Sequence, residues 1–307
     1  MRKKTLILGL CTIVCTILCA LFAMIPIQTN NANYPVSWMI NLPDNAKIET
    51  LSIPGTHDSG ALHSIFDVSG KCQDLSIEQQ LNVGVRFFDL RLQNVNDKMQ
   101  IVHSFVDQRL TFASVMQSLD NFLKEHPSEF LIISIKKDAD DKNSTKEFEE
   151  LLLEELKPFK NADFATNLPK NVGEARGKMF FISRYYSSTI GISAYSGWLD
   201  STTFELGDLY VQDNYCINDV ETKKMDIASA ILFSQNNSER LVLNFSSCYL
   251  DSGFPPIYAL GTAKNINDWL NYYLSTINGP TGIIIADYMT AELSKSIYSR
   301  NFNENAI

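Results

Sequence analysis

The chain has 307 residues, 45% of them hydrophobic and 11% aromatic, and a formal net charge of −9. That is enough apolar material for one large domain, and α/β barrels commonly run to ~250 residues as a single unit. So acidic a chain excludes nucleic acid as a partner, because that binding rests on basic contacts to phosphate, and excludes a polybasic grip on anionic lipid.

The chain opens on Arg2-Lys3-Lys4 followed by an apolar run from Thr5 to Ile27. A positive segment before 23 apolar residues reads as a signal peptide or an N-terminal membrane anchor over residues 1–28. The run is long for a signal peptide, and Leu21-Phe-Ala23 is the nearest approach to a cleavage pattern. Either way, a secreted or surface-exposed protein is expected, with residues 29–307 as one domain. Without the three leader cations the charge falls from −9 to −12.

Eight short β-rich runs follow: Thr50–Ile53, Val85–Arg91, Gln100–His103, Phe130–Lys136, Lys178–Arg184, Leu209–Gln212, Leu241–Phe245 and Gly282–Ala286. Several are continuously apolar, as strands buried on both faces are. Helical patterns lie between some of them, most clearly at Phe112–Glu125, Ser144–Leu156 and Ile266–Thr276. Eight strands with interspersed helices predict an α/β fold of the (β/α)8 TIM-barrel type. The eight residues of Leu92–Met99 are too few for a crossover helix. They can run back along a strand only in extended form, at ~3.3 Å per residue. The expected barrel is therefore irregular, with some helices missing.

Polar residues fall at the ends of these strands. His57 and Asp58 follow the first, Asp89 and Arg91 end the second, and His103 ends the third. Lys136 and Arg184 end the next two, Asp213 and Tyr215 follow the sixth, and Asp287 follows the eighth. Singly, each reads as a solvated or salt-bridged side chain. Jointly they converge on one rim, where barrel enzymes hold their sites, and unpaired charge so concentrated suggests a polar ligand. Two histidines, an arginine and carboxylates without metal-ligand spacing suggest acid–base chemistry on a phosphate ester. His63 and His126 read as structural. Cys72, Cys216 and Cys248 are isolated, so neither a zinc site nor a disulfide framework is indicated.

Ser-Ile-Pro-Gly-Thr-His57-Asp58-Ser-Gly, then Gly84-Val-Arg-Phe-Phe-Asp89-Leu-Arg91 and His103, resembles the bacterial phosphatidylinositol-specific phospholipases C. The similarity extends through Ser-Ile-Lys136, Ile-Ser-Arg184-Tyr, Gln-Asp213-Asn-Tyr215 and Ile-Ala-Asp287-Tyr288. It implies cleavage of phosphatidylinositol to diacylglycerol and inositol 1,2-cyclic phosphate, extending to glycosyl-phosphatidylinositol anchors. It also implies His57, held by Asp287, as general base and His103, assisted by Asp58, as general acid. Arg91 stands where calcium-dependent relatives have a carboxylate ligand, which implies no metal and no other cofactor, with Asp89 orienting Arg91 or His57. Lys136, Arg184, Asp213 and Tyr215 would contact the inositol, and Ile65, Phe66, Phe254 and Ile257 would touch the membrane from apolar rim loops. A monomer is expected. His103 departs from the family by preceding Ser104-Phe105 instead of Gly-Pro. The rival readings are a metal-dependent glycerophosphodiester phosphodiesterase and a non-catalytic inositol-lipid binding module.

Overall fold

A computed structural model of the chain describes residues 36–64, 70–104, 106–186, 189–251 and 259–302. The leader and the four expected membrane-contacting residues, Ile65, Phe66, Phe254 and Ile257, lie outside these. Among the described residues no helix is long and apolar enough to cross a membrane.

Strand β1 (Ser52–Thr56) leads to helix α1 (Ile77–Asn82), whose start is fixed by a capping box between Ser76 and Gln79. A meander follows, β2 (Phe87–Asn94), β3 (Met99–His103) and β4 (Val106–Thr111), feeding helix α2 (Phe112–Glu125). Strand β5 (Leu131–Lys137) is followed by α3 (Phe148–Leu156), the short β6 (Ala162–Asp163) and α4 (Val172–Ala175). Next come β7 (Met179–Arg184), β8 (Ile192–Ser193), β9 (Thr203–Leu206), β10 (Leu209–Gln212), β11 (Cys216–Ile217) and α5 (Val220–Asn236). The chain closes with β12 (Leu241–Phe245), β13 (Tyr249–Leu250), α6 (Ala259–Thr276), β14 (Gly282–Ala286) and α7 (Ala291–Tyr298).

Seven strands run parallel in the order β7-β5-β2-β1-β14-β12-β10. The curled sheet with helices along its outside is the expected irregular barrel; among the described residues no ladder joins its two ends.

One expectation is corrected. Gln100–His103 is not a parallel barrel strand, because β3 pairs antiparallel with β2, at Leu92↔Ile101, Gln93↔Gln100 and Asn94↔Met99. The cause is local: Asn96 and Asp97 both have positive φ, 53° and 56°, and Val95 and Lys98 exchange both backbone hydrogen bonds. That is a two-residue hairpin turn of the kind whose twist matches paired strands. The β2–β3 join carries no helix, as expected, and among the described residues none lies between β7 and β10 either.

Period-two alternation divides the core. Phe88, Leu90, Ile133, Ile135, Phe181 and Ile284 face outward to the helices, joining Leu81, Val115, Leu119 and Leu152. Ile53, Phe87, Ile132, Phe180, Ile182, Val211, Leu243, Phe245, Ile283 and Ile285 fill the barrel, with Trp38 and Met39 in the same cluster. The buried Arg86–Glu129 pair at 2.8 Å belongs to this scaffold; Arg86 also donates to the carbonyls of Leu81 and Val85.

Candidate active site

The same alternation aims the polar residues. Counting in twos along the inward face gives Ile53-Gly55-His57, Phe87-Asp89-Arg91 and Ile132-Ser134-Lys136. Phe180-Ile182-Arg184, Leu209-Val211-Asp213 and Ile283-Ile285-Asp287 continue the series. Parallel pairing sets Arg91 beside Lys136 and Lys136 beside Arg184 in one row. Each strand thus ends its apolar plug with a polar side chain at the C-terminal mouth. A cavity of about 570 Å³ opens there, lined by His57, Arg91, His103, Lys136, Arg184, Asp213, Tyr215 and Asp287 among others.

His57 is the best-held group. Its Nδ1 lies 2.7 Å from Asp287 Oδ1, and its Nε2 lies 2.6 Å from Arg91 Nη2. A guanidinium can only donate, so Nε2 accepts and the ring carries its proton on Nδ1, donated to Asp287. Burial lowers the basicity of His57 and Arg91 adds to that, but the charge and hydrogen bond of Asp287, with the charge of Asp89, make the net shift upward. The backbone is fixed as well: Gln73 Nε2 donates to the carbonyls of His57 and Ala286, both at 2.8 Å.

Arg91 is surrounded by carboxylates. Its Nε is 3.5 Å from Asp58 Oδ2 and 3.5 Å from Asp89 Oδ2, and its Nη1 is 3.8 Å from Asp138 Oδ1. Burial works against its charge, but these anions raise its pKa. Asp89 also accepts from Ser134 Oγ at 3.0 Å and pairs with Arg184 at 3.3 Å, so one carboxylate holds two arginines. Although burial opposes ionisation, Arg184 and Arg91 hold Asp89 well below the usual carboxylate range. Against the same opposition from burial, Arg91 and Lys136 bring Asp138 down to about 2.

Across the cavity, His103 projects from the end of β3. Its Nδ1 is 3.8 Å from Asp58 Oδ2, beyond hydrogen-bond range. Asp58 is fully buried, adopts a left-handed φ of 40°, and neither of its carboxylate oxygens has a hydrogen bond. Burial pushes its pKa up to about 7, with Arg91 and His57 pulling it back. Burial, then the charge of Arg91, pushes His103 down to about 4. The acid side of the cavity therefore favours its proton on Asp58, and His103 is neutral.

At the far wall Arg184 stacks on Trp198, 3.8 Å from guanidinium carbon to ring centroid, and lies 3.5 Å from Asp213. Trp198 Nε1 donates to Asp213 at 3.0 Å, and the Tyr215 hydroxyl donates to Asp200. Lys136 pairs with Asp138 at 2.7 Å.

A family model, "Phosphatidylinositol-specific phospholipase C, X domain", matches residues 52–182. A 1-phosphatidylinositol phosphodiesterase of Staphylococcus aureus (strain Newman) is 30% identical over 286 residues, covering 83% of this chain and 88% of its own. The chain belongs to the phosphatidylinositol-specific phospholipase C family. The enzyme of the same name from Listeria monocytogenes is 25% identical over 97% of both chains. A solved S. aureus phosphatidylinositol-specific phospholipase C, determined in work on modulating its membrane binding, superposes with a TM-score of 0.74. It is 26% identical, over 86% of this chain and 98% of its own.

The family members' curled barrel is thus the fold found here, and all ten expected catalytic and inositol-contacting residues meet at one mouth. Eight line the cavity, while Asp58 and Asp89 lie behind its wall, both fully buried. His126 is structural as expected: it ends α2, accepts or donates at 2.7 Å to Ser37 Oγ, and packs on Phe122. Cys72, Cys216 and Cys248 are free thiols. Sequence reasoning missed Asp138, Trp198, Asp200 and Gln73. Asp138 had a signal, standing two residues after Lys136 on the same strand-end alternation. Trp198, Asp200 and Gln73 lie in connections with no periodic pattern.

Proposed function

We propose that this chain is a metal-independent phosphatidylinositol phospholipase C in which His57 and His103 are the base and acid on either side of one phosphodiester. The observation that supports it most is His57 held between Asp287 and Arg91, at 2.7 and 2.6 Å, with His103 on the same 570 Å³ cavity.

The reaction starts with Arg91. Its Nη2 occupies the lone pair that the base must use. An incoming phosphate offers anionic oxygens, better acceptors than a neutral imidazole, and draws the guanidinium off Nε2. The freed Nε2 takes the proton of the inositol 2-hydroxyl, whose oxygen attacks phosphorus, and Asp287 stabilises the imidazolium that forms. Arg91, fixed by Asp58, Asp89 and Asp138, neutralises charge on the phosphoryl oxygens, the role a calcium ion has in metal-dependent relatives. The P–O bond to diacylglycerol breaks, and that oxygen receives its proton from His103. The phosphate's own charge raises His103 from its low resting pKa, so that the proton held by Asp58 passes to the imidazole.

Lys136, Arg184, Asp213 and Tyr215 supply donors and acceptors for the inositol hydroxyls. Glycosyl-phosphatidylinositol anchors contain the same bond and are included in the expected substrates. Export through the residue 1–28 segment and action as a monomer on the membrane face complete the reading. A glycerophosphodiesterase would need metal-ligating glutamates, and the described cavity wall carries none.

Phosphorus NMR of the purified protein with phosphatidylinositol vesicles in chelator tests this. The cyclic inositol phosphate resonance is expected; release of only a linear phosphate, or turnover only after calcium is restored, overturns it.

A further inference from the structure

We propose that Cys72, Asp58 and His103 form an inhibitory site for a thiophilic divalent cation, zinc foremost, inside the catalytic cavity. Their donor atoms all lie within 4.8 Å of one another. Cys72 lines the cavity, although only 2% of its surface is exposed, and its thiol has no part in the proton transfers above.

The unfilled valences single out this cluster. Both carboxylate oxygens of Asp58 and the Nδ1 of His103 are buried without a hydrogen bond. Buried polar atoms of this kind are met by ordered water or by a ligand. A second set, His57, Cys72 and Asp287, is equally compact. There Asp287 Oδ2 is likewise without a hydrogen bond, but both ring nitrogens of His57 are taken, Nδ1 by Asp287 Oδ1 at 2.7 Å and Nε2 by Arg91 at 2.6 Å, so a cation would have to break one of those bonds first.

Thiolate, imidazole and carboxylate are the donor types zinc takes, and three of them leave one position open to the solvent of the cavity. Zinc bonds of ~2.0–2.3 Å put ligand atoms ~3.5 Å apart, so the cluster must contract by about an ångström. Burial raises the Cys72 thiol well above its ordinary pKa, with the charges of Asp287 and Asp58 adding to it. A bound dication reverses that, because a coordinating thiol gives up its proton. Binding thus forms Zn–S, Zn–N and Zn–O bonds and releases to solvent the thiol proton and any proton on Asp58. Arg91 opposes it: its Nε lies 3.5 Å from Asp58 Oδ2 and repels the ion. Occupancy also blocks the acid, since His103 loses Nδ1 to the metal and Asp58 can no longer return a proton.

The test uses the full chain in which the other five cysteines, Cys11, Cys15, Cys19, Cys216 and Cys248, are serine, so any thiolate signal belongs to Cys72. Equilibrium dialysis against zinc chloride should give one zinc per chain. Cobalt chloride should give a thiolate-to-cobalt charge-transfer band in the near ultraviolet. Adding Cys72→Ser should erase the band and weaken zinc binding at least 30-fold; Asp58→Asn should weaken it about tenfold, and Asp287→Asn should change it less than Asp58→Asn does. Zinc should slow phosphatidylinositol cleavage relative to the same protein in chelator, and the Cys72→Ser protein should escape that inhibition. No saturable zinc binding, a cobalt spectrum without the thiolate band, or a greater loss with Asp287→Asn than with Asp58→Asn overturns the proposal. The dialysis and cobalt readouts do not need turnover, so they stand even if the proposed activity fails.

Discussion

Replacing Asp58 by asparagine should stabilise the protein more the higher the pH, while removing activity. Asp58 is fully buried, neither of its carboxylate oxygens is hydrogen-bonded, and its pKa is pushed up to about 7. In the unfolded chain an aspartate titrates near ~3.9. Between these two values the folded state binds more protons than the unfolded one, so stability falls as pH rises through the window. The stabilising protonated form is complete below about pH 4 and lost above about pH 7. One pKa unit corresponds to ~1.36 kcal/mol, so going from pH 5 to pH 8 costs the native protein about 3 kcal/mol through this one group. Asparagine cannot ionise, and the variant escapes that cost. In a domain of this size ~1 kcal/mol moves Tm by ~2 °C, so the Tm advantage of Asp58→Asn should grow by about 6 °C between pH 5 and pH 8. Paired thermal melts at the two pH values measure this, and the difference cancels any constant effect of the amide. An advantage that stays level or shrinks with pH would show that Asp58 is ionised throughout, and would refute its place as a buried proton store.

His57→Ala and His103→Ala should each lower kcat by ~10²–10⁴, the usual worth of a general base or acid, with unchanged far-ultraviolet dichroism. Arg91→Ala should be inactive and should also lose ~3–5 kcal/mol in denaturant melts, because three carboxylates lose their buried cation. Trp198→Ala removes the stack on Arg184 and the donor to Asp213, and should raise KM about tenfold with a smaller change in kcat; equal losses in both would place Trp198 elsewhere. Gly191→Ala should destabilise by several kcal/mol in the same melts, since φ is +63° and a Cβ would sit 2.1 Å from the Phe181 carbonyl oxygen.

The sequence by itself determined the parallel strands and the residues at their ends. Seven of eight strands were legible because runs such as Leu-Ile-Ile-Ser-Ile-Lys136 bury both faces, and the inward count of two then ends on a polar residue at the mouth. That is a local property, written in periodicity, and the His57 and Arg91 motifs made the family resemblance specific enough to imply the chemistry. The exception was β3, read as a barrel strand although Asn96-Asp97 supplies the two left-handed residues of a hairpin. His103 reaches the cavity from that hairpin and not from the barrel.

Only the tertiary structure decided the electrostatics. No spacing announces that Asp89 holds Arg91 and Arg184 together, that the Asp58 carboxylate is left without hydrogen bonds, or that Cys72 lies within reach of both histidines. A pKa depends on burial and on every charge within a few ångströms, and those neighbours come from strands far apart in the chain. Trp198, from a connection without periodic pattern, meets Arg184 for the same reason: its partner is chosen by the closing of the barrel, which no local window of sequence contains.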